Sequence, residues 1–495
     1  MVINDKQDMK MKKIRIPQIA LAALLPLLMA GCKDFLDLKP KGRDVAETLE
    51  HYNGMLNSTN CTNIAYNVMT ETGTIINSNP YWVFMSDEWI TDQSVINNMG
   101  LAEQKAFKWE ADIFESDDYP IEFGGLYQQI YTYNMIVDGV MDAVDGTHEE
   151  KLRVLSEARV ARAFAYMLLA QFFGKPYNEA TAATDLCVPL VLEASTGVNS
   201  FSRATVKDIY DFFLKELEEA CPNVPEYTLH RQRIYRAAAY AMLGRAYMLV
   251  YDYDKAGTAF AEAEKLIAKS TVTLALFDYK VEMPVWKANP MWGYGMGVPI
   301  NYSTANTEIV VNRQVSTTIG GSLFNRPKVF IKPEYMALFT EGDLRREFYT
   351  NNNGAYSNYR KEYRFMHNEG VDMPNFYLMY AECMARTNNL AKARELLTTL
   401  RERRFEAGFG EIPASVTTQN DLIRFAVEER LREYMGTGHR WFDMRRLWND
   451  PLFQDLKANY THFDGEKTYT LTEARLVYRI PPSVMVHNAG WTNND

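Results

Sequence analysis

The sequence predicts a mostly α-helical protein in which antiparallel, tetratricopeptide-like (TPR-like) helix pairs form an α–α superhelical scaffold beside a loop-rich lobe containing short strands. Residues 240–263 and 377–400 carry aromatic and small residues at the offsets of the TPR pattern. Residues 69–119 and 271–335 are rich in Asn, Thr, Gly, Pro and Trp and show no sustained helical period. The first two segments predict the scaffold, and the other two predict the lobe.

The first 31 residues are predicted to be a lipoprotein signal peptide. A basic patch at residues 10–15 precedes an apolar run from Ile19 to Ala30, which is too short to span a bilayer core of about 30 Å. The run ends in Gly31-Cys32, and small residues before a cysteine resemble the bacterial lipobox, where cleavage leaves the cysteine lipidated. We therefore expect a lipid anchor at Cys32. An ordinary signal peptide followed by a chance cysteine is the alternative.

The rest of the chain, residues 32–495, is predicted to form one body, because no low-complexity linker divides it. Its hydrophobic fraction of 47% and charged fraction of 23% are ordinary for a globular protein and exclude wholesale disorder. The chain has 53 Lys and Arg against 63 Asp and Glu, for a net charge of −10. This balance argues against a nucleic-acid partner, which requires a basic surface.

TPR-like helices are expected over about residues 126–270 and 376–448. In the segment 240–263, the small residues Gly244 and Ala256 allow two antiparallel helices to approach closely. Large aromatic residues at the matching offsets fill the space between the helices. Asp252-Tyr253-Asp254 supplies the turn.

Four more helical segments extend this scaffold. Residues 377–400 repeat the pattern, with Asn388-Asn389 as the turn. A looser pair is expected from residues 157–173 and 206–220, and an earlier helix over residues 126–144 pairs naturally with it.

The four cysteines after Cys32 are expected to be free, buried thiols. Their spacings are wide and irregular, and a body of this size needs no disulfide to be stable. Three disulfide pairings remain open as the alternative, because an exported protein can form them. No C-x-x-C or Cys/His cluster predicts a zinc site, and no cofactor is expected. These cysteines are Cys61, Cys187, Cys221 and Cys383.

Several separate segments resemble the SusD/RagB nutrient-binding lipoproteins of the Gram-negative outer membrane. The segments are CKDFLD at 32–37, EARVARAF and FFG between 157 and 174, GDLR at 342–345, ERLRE and GHRWFDMRR between 429 and 446, and IPP at 480–482. The sequence departs from the family before Tyr377, where Asp372 and Asn375 stand in place of a common Arg and Glu.

This resemblance implies a cell-surface, lipid-anchored protein of the outer membrane that captures an oligomeric nutrient, usually a glycan. It also implies delivery of that nutrient to a SusC-like TonB-dependent transporter, with the TPR-like helices facing this partner. No catalytic chemistry is implied. Some relatives bind peptides, so a peptide-binding member and a TPR-type adaptor without a small ligand remain the alternatives.

Two groups of lobe residues are predicted to contact the ligand, because the apolar faces of a sugar stack on aromatic rings while amides bind its hydroxyl groups. We expect both groups to join one site. Structural anchoring is the alternative for each tryptophan. The first group is Trp82, Trp89 and Asn98, and the second is Trp286, Trp292 and Tyr294.

Other patterns are interpreted as structural, and no enzyme is predicted. His439 and Asp443 in the GHRWFDMRR signature are one helical turn apart and can pair. The glycines at 293–297 lack the context of a phosphate loop. The acidic residues at 115–118 lack the spacing of a calcium loop and are expected to form a solvated turn. Carboxylates are too numerous for the sequence to exclude a glycosidase.

Overall fold

The structure is a computed structural model that describes residues 46–494 apart from 66–67, 70–74, 77–80, 117, 119, 196, 198–199, 290–305, 316–329, 351–358 and 361–367. The chain divides into two compact units, residues 1–46 and residues 47–495. The predicted signal peptide and Cys32 lie outside the described residues, as do the glycines at 293–297. Within the described ranges, no helix is both long and apolar enough to cross a membrane.

Helices dominate the second unit, which confirms the predicted fold class. The α-helices are α1 Leu49–Met55, α2 Thr59–Thr62, α3 Tyr81–Met85, α4 Gln93–Ile96, α5 Leu101–Phe107, α6 Ile121–Gly139, α7 His148–Phe173, α8 Val206–Ala220, α9 Arg236–Leu249, α10 Tyr253–Ile267, α11 Tyr279–Ala288, α12 Pro333–Met336, α13 Met373–Arg386, α14 Leu390–Arg404, α15 Gln419–Tyr434, α16 His439–Leu447 and α17 Pro482–Met485. Short 3-10 helices lie at Val140–Asp142, Cys221–Asn223, Leu344–Phe348, Pro451–Asn459 and Glu473–Arg475.

The pair α9 and α10 confirms the TPR-like segment at residues 240–263. The two helices pack against each other, and a Cβ atom built on Gly244 would lie 2.7 Å from the Phe260 ring. Only glycine allows this close approach. Asp252 caps α10 by accepting a hydrogen bond from the backbone N–H of Lys255, so the chain reverses at the predicted turn.

The pair α13 and α14 confirms the second TPR-like segment. Asn388 in the turn has a φ of 61°, a left-handed conformation that asparagine tolerates. Asn389 then caps α14 by accepting from the backbone N–H of Lys392. Because α13 also packs against α10 and α15, neighbouring pairs stack in the manner of a helical repeat scaffold.

Helices α6, α7 and α8 form the looser pairs, with some changed bounds. α8 has the predicted bounds, and both α6 and α8 pack against α7. α6 begins at Ile121 and ends at Gly139, a few residues earlier than predicted. α7 begins at His148, well before residue 157, because Thr147 and Glu150 form a capping box that starts the helix in a charged stretch.

The strands are short and form small sheets. They are β1 Asn63–Ala65, β2 Val68–Met69, β3 Ile75–Ile76, β4 Trp89–Ile90, β5 Ile309–Val311, β6 Gln314–Val315, β7 Phe330–Ile331, β8 Tyr349–Thr350, β9 Tyr359–Arg360, β10 Val371–Asp372, β11 Thr461–Phe463 and β12 Thr468–Thr470. One sheet has four strands in the order β12-β11-β4-β7. The other described pairs are β1 with β6, β10 with β5, β2 with β3 and β8 with β9.

The lobe contains helices as well as the predicted short strands. α5 and α11 lie in segments where only loops or strands are predicted, so that part of the expectation is wrong. Glu103 closes the first turn of α5, and the Asp278 carboxylate caps α11 through the backbone N–H of Lys280. Helices this short contain too few turns for a hydrophobic period to show in the sequence.

Helix α16 holds the GHRWFDMRR signature in the core, where its role is structural. His439 is buried and stacks on the Tyr434 ring, with the ring centroids 4.3 Å apart. The Asp443 carboxylate accepts from Arg430 at 3.0 Å and from Arg446 at 2.9 Å. The predicted pairing of His439 with Asp443 is therefore wrong, because these two arginines occupy the carboxylate.

The four cysteines of the second unit are free and buried, as predicted. Burial raises the pKa of Cys61 to about 11 and that of Cys187 to about 12. A thiol with so high a pKa is protonated at neutral pH and reacts slowly.

Candidate functional site

The four-stranded sheet joins the two lobe segments that are predicted to bind the ligand. β4 comes from residues 69–119 and β7 comes from residues 271–335. The two strands pair antiparallel, with Trp89 opposite Ile331. The segments therefore meet in space, as the hypothesis of one shared site requires.

The tryptophans of the first segment, however, are buried in the core. The Trp82 side chain has no exposed surface, and its ring lies 5.0 Å from that of Phe172. Trp89 is 1% exposed, and its indole N–H donates to the carbonyl oxygen of Val83 at 2.7 Å. Neither ring presents a face to a ligand, so the prediction that they stack on one is wrong.

Trp286 in α11 is likewise buried, with 3% of its surface exposed. Its ring makes edge contacts with Phe277 and Tyr279 at centroid distances of 5.5 and 5.4 Å. These rings fill the space between α11 and its neighbours, so the structural alternative holds for Trp286 and its ligand-binding prediction is also wrong. The sequence shows that an indole is present but not which way its helix turns it.

The remaining predicted residues have different outcomes. Asn98 is exposed, and its side-chain amide donates to the carbonyl oxygen of Ser94 at 2.7 Å. Trp292 and Tyr294 lie outside the described residues. All three remain predictions.

A cleft that the sequence did not predict opens where β7 leads into α12. Its cavity volume is about 470 Å³, which is within the range of small-molecule sites. Residues from α12, α15, α16 and the 3-10 helix Pro451–Asn459 line it. The lining residues are Glu334, Tyr335, Leu338, Arg424, Val427, Glu428, Leu431, Arg440, Phe453, Leu456 and Asn459.

The buried end of the cleft is formed by an ion pair with the first lobe segment. Arg440 is 5% exposed and donates to both carboxylate oxygens of Asp87, at 2.8 and 3.2 Å. The Tyr335 hydroxyl donates to the same carboxylate. Although burial favours the neutral acid, Arg440 holds the pKa of Asp87 below its usual value. This end of the cleft therefore carries a fixed, neutralised pair.

The open end of the cleft carries polar groups that a ligand can reach. Arg424 and Asp455 form a two-pronged ion pair, at 3.0 and 2.6 Å, with side chains 40% and 59% exposed. The Arg424 guanidinium also lies 5.4 Å from the centre of the Phe453 ring. Glu428 is 44% exposed, and Asn459 is exposed.

The cleft combines an apolar wall with a polar rim. The wall consists of the half-buried side chains of Leu338 and Leu456 and the buried side chains of Val427, Leu431 and Phe453. Such a lining suits a ligand with apolar faces and hydroxyl or amide groups at its edges.

Sequence signals for this cleft are weak. Arg424, Val427, Glu428 and Leu431 follow the i, i+3, i+4, i+7 spacing of one helical face, but this face looks like the ordinary surface of a packed helix. Tyr335 stands two residues after Pro333, a position that indicates a turn and not a ligand contact. The cleft exists only because residues 334–338 meet three consecutive elements, α15, α16 and the 3-10 helix Pro451–Asn459.

Comparison with known families identifies the chain. A family model described as starch-binding associating with outer membrane matches residues 34–248, and the SusD family model matches residues 373–491. The chain belongs to the SusD/RagB family. This membership confirms the resemblance and supports the prediction of a binding protein without catalytic activity. No curated protein matches the chain.

Solved structures of SusD-like proteins share the fold. A putative sugar-binding protein from Bacteroides vulgatus has a TM-score of 0.67 at 20% identity, covering 91% of this chain and 99% of that chain. A SusD superfamily protein from Bacteroides fragilis has a TM-score of 0.67 at 19% identity, with coverages of 90% and 99%. A laminarin-binding SusD-like protein has a TM-score of 0.63 at 18% identity, also with coverages of 90% and 99%.

The two positions that depart from the SusD pattern have local roles in this SusD/RagB protein. Asp372 caps α13 by accepting from the backbone N–H of Asn375 at 2.9 Å. The Asn375 side-chain oxygen in turn accepts from Arg430 at 2.8 Å. At these two positions, this chain therefore has a helix cap and an amide contact.

The described acidic side chains of the turn at residues 115–118 bond to neighbouring groups of the chain. Glu115 pairs with Lys105, and the Asp118 carboxylate accepts from the backbone N–H of Glu115 at 2.7 Å. Asp117 lies outside the described residues. In the part of the chain that the structure describes, no three His, Cys, Asp or Glu side chains are grouped so as to hold a metal ion.

Proposed function

We propose that this SusD/RagB protein captures an oligomeric glycan at the cell surface and delivers it to a SusC-like TonB-dependent transporter of the outer membrane. The observation that carries the proposal is the cleft between α12, α15 and the 3-10 helix Pro451–Asn459. Its apolar wall matches the C–H faces of sugar rings, and its polar rim matches their hydroxyl groups.

The family supports the ligand class. The matched family description concerns starch binding and association with the outer membrane. One protein of the same fold is a laminarin-binding SusD-like protein, and laminarin is a glycan. The side chains on the cleft rim form hydrogen bonds in exchange for bonds to water, so each adds only about 1 kcal/mol. We therefore expect modest affinity, which suits capture followed by release.

The proposed anchor and partner rest on features of the sequence and the fold. Lipidation of Cys32 would hold the body at the membrane surface, and the stacked TPR-like pairs offer the kind of repeat surface that binds another protein. Asn98, Trp292 and Tyr294 are proposed as further ligand contacts.

Isothermal titration calorimetry tests the proposal. The mature chain is titrated with plant, host and microbial oligosaccharides and with a peptide pool. We expect heat with one class of glycan. Heat with peptides alone would keep the family but replace the ligand class, and no heat with either would favour an adaptor role.

Variants then locate the site. Arg424→Ala and Asn459→Ala are expected to weaken glycan binding about fivefold each, since each removes a hydrogen-bonding group from the cleft rim. Arg153→Ala is the matched control, because Arg153 pairs with Glu149 on the exposed face of α7, away from the cleft. If Trp292→Ala abolishes binding while both cleft variants bind normally, the loop residues form the site and the cleft does not.

A further inference from the structure

The charged groups of the proposed glycan cleft are already engaged with one another. Of the described residues that line the cleft, Arg424 is the one cation with an exposed side chain, since Arg440 is buried against Asp87. Arg424 Nη1 and Nη2 donate to the two carboxylate oxygens of Asp455, at 3.0 and 2.6 Å. Nη2 also donates to the carbonyl oxygen of Leu452. These contacts use three of the five N–H groups, which leaves two for the hydroxyl groups of a ligand.

An acidic ligand would have to compete with Asp455 for this arginine. A two-pronged contact with a guanidinium uses Nη2 together with Nε or Nη1, and both N–H groups of Nη2 in Arg424 are engaged. Hydrogen bonds from Arg424 hold the pKa of Asp455 below its usual value, so this carboxylate is ionised at neutral pH. A sugar carboxylate or sulfate could therefore form a two-pronged contact with Arg424 only by displacing a like charge.

The charges at the cleft sum to a negative value. Glu334 and Glu428 both reach solvent at the rim, and the cation beside Glu334 is Lys332, at 3.9 Å. Glu428 pairs with Arg432, but that arginine also holds the buried Glu429, and this second pair adds no charge. Three cations then face four carboxylates, for a charge of 3 − 4 = −1. They are Arg424, Arg440 and Lys332 with Asp455, Asp87, Glu334 and Glu428.

We propose that the cleft selects glycans without acidic groups, and that Asp455 and Glu428 determine this selectivity. The inference rests on the proposed function, because it names the class of glycan that the same cleft takes. Ion-paired side chains still form hydrogen bonds with hydroxyl groups. A uronate or a sulfated sugar, in contrast, would lie beside excess negative charge, and no described lining residue offers an unpaired, exposed cation to balance it.

Calorimetry with matched pairs of oligosaccharides tests the proposal in the mature protein. Each pair consists of a neutral backbone and a form of the same backbone that carries uronate groups, such as xylo- and glucuronoxylo-oligosaccharides. For the backbone that binds, we expect the dissociation constant of the acidic form to be about tenfold higher or more at low ionic strength. Equal or tighter binding of the acidic form would overturn this proposal and leave the proposed function in place. Absence of heat with every pair would overturn both.

Ionic strength gives a second readout that requires no variant. From about 0.01 M to about 1 M salt, the screening length falls from about 30 Å to about 3 Å. The affinity for the neutral oligosaccharide should change less than about twofold over this range, and the affinity for its acidic form should rise as the repulsion is screened. An affinity for the acidic form that falls with salt would reveal a net attraction and overturn the proposal.

Two variants test the roles of Asp455 and Glu428. Asp455→Asn removes the charge and releases Arg424, so the ratio of the acidic to the neutral dissociation constant should fall about fivefold or more. Glu428→Gln should lower this ratio about twofold. Both carboxylates belong to exposed pairs, so both variants should fold. Glu149→Gln removes a carboxylate that pairs with an arginine on α7, away from the cleft, and should keep the wild-type ratio. A wild-type ratio in both cleft variants would overturn the assignment.

Discussion

Replacement of Arg345 by methionine tests how the 3-10 helix Leu344–Phe348 is fastened to α15. The Arg345 side chain has no exposed surface and donates to Asp343 at 2.7 Å, to Glu429 at 2.7 Å and to Glu433 at 3.1 Å. These contacts belong to a buried network of four arginines and four carboxylates. Its members are Arg345, Arg401, Arg404, Arg432, Asp343, Glu308, Glu429 and Glu433.

The size of the stability loss depends on which arginine partners each carboxylate retains after the substitution. Glu429 retains Arg401 and Arg432, and Glu433 retains Arg404. Asp343 loses its two-pronged partner and stays buried, at 6% exposure. One buried carboxylate without its cation costs about 3–5 kcal/mol, so Arg345→Met should lower the free energy of unfolding by that amount.

Guanidinium chloride denaturation at pH 7 measures this loss, with Arg153→Met as the control. Because the Arg153–Glu149 pair is exposed, the control should lose about 0.5 kcal/mol or less. The double variant Arg345→Met with Asp343→Asn should be more stable than Arg345→Met alone, since it removes the stranded charge. A loss under about 1 kcal/mol for Arg345→Met, or a double variant less stable than the single one, would refute the reasoning.

Three further predictions concern other parts of the molecule. Burial raises the pKa of Glu122 from 4.5 to about 8, so the folded state holds a proton that the unfolded chain releases, and stability falls as pH rises between these values. Glu122→Gln should remove this slope in denaturation series at pH 5 and pH 8, and equal slopes for both proteins would contradict the assignment. Gly244→Ala should lower the free energy of unfolding by about 1–3 kcal/mol, because the new Cβ would lie 2.7 Å from Phe260. Gly54→Ala, with no atom within 4 Å of its Cβ, is the control and should be neutral or stabilising. Cys32→Ala should release the protein from the membrane fraction and abolish fatty-acid labelling, and unchanged labelling would show that the anchor lies elsewhere.

The helical scaffold could be predicted because TPR-like packing requires particular residue types at fixed, short spacings in the sequence. Close approach of two helices demands a small residue at one position, and Gly244 opposite Phe260 meets that demand at the expected spacing. The turns between the helices could be predicted as well, because the N-cap residues Asp252 and Asn389 follow them. The start of α7 escaped prediction because its capping box precedes a charged stretch without an apolar period.

The binding residues could not be predicted to the same degree. The sequence correctly predicted that the two lobe segments meet. Trp82 and Trp286, however, belong to short helices, and only tertiary packing decides in which direction such a helix points its side chains. The cleft depends on residues 334–338 meeting residues 424–459, and these two regions are far apart in the sequence. No short-range spacing in the sequence indicates that these regions will be in contact. From the sequence alone, Tyr335 and Arg424 therefore look like ordinary surface residues.

A crystal structure of the protein with the glycan that gives heat in calorimetry tests the central claim most directly. We predict a sugar ring against Leu338 and Leu456, the half-buried apolar residues of the cleft, with its hydroxyl groups within hydrogen-bonding distance of Arg424 or Asn459. A glycan bound elsewhere on the chain, with the cleft between α12 and α15 unoccupied, would contradict it.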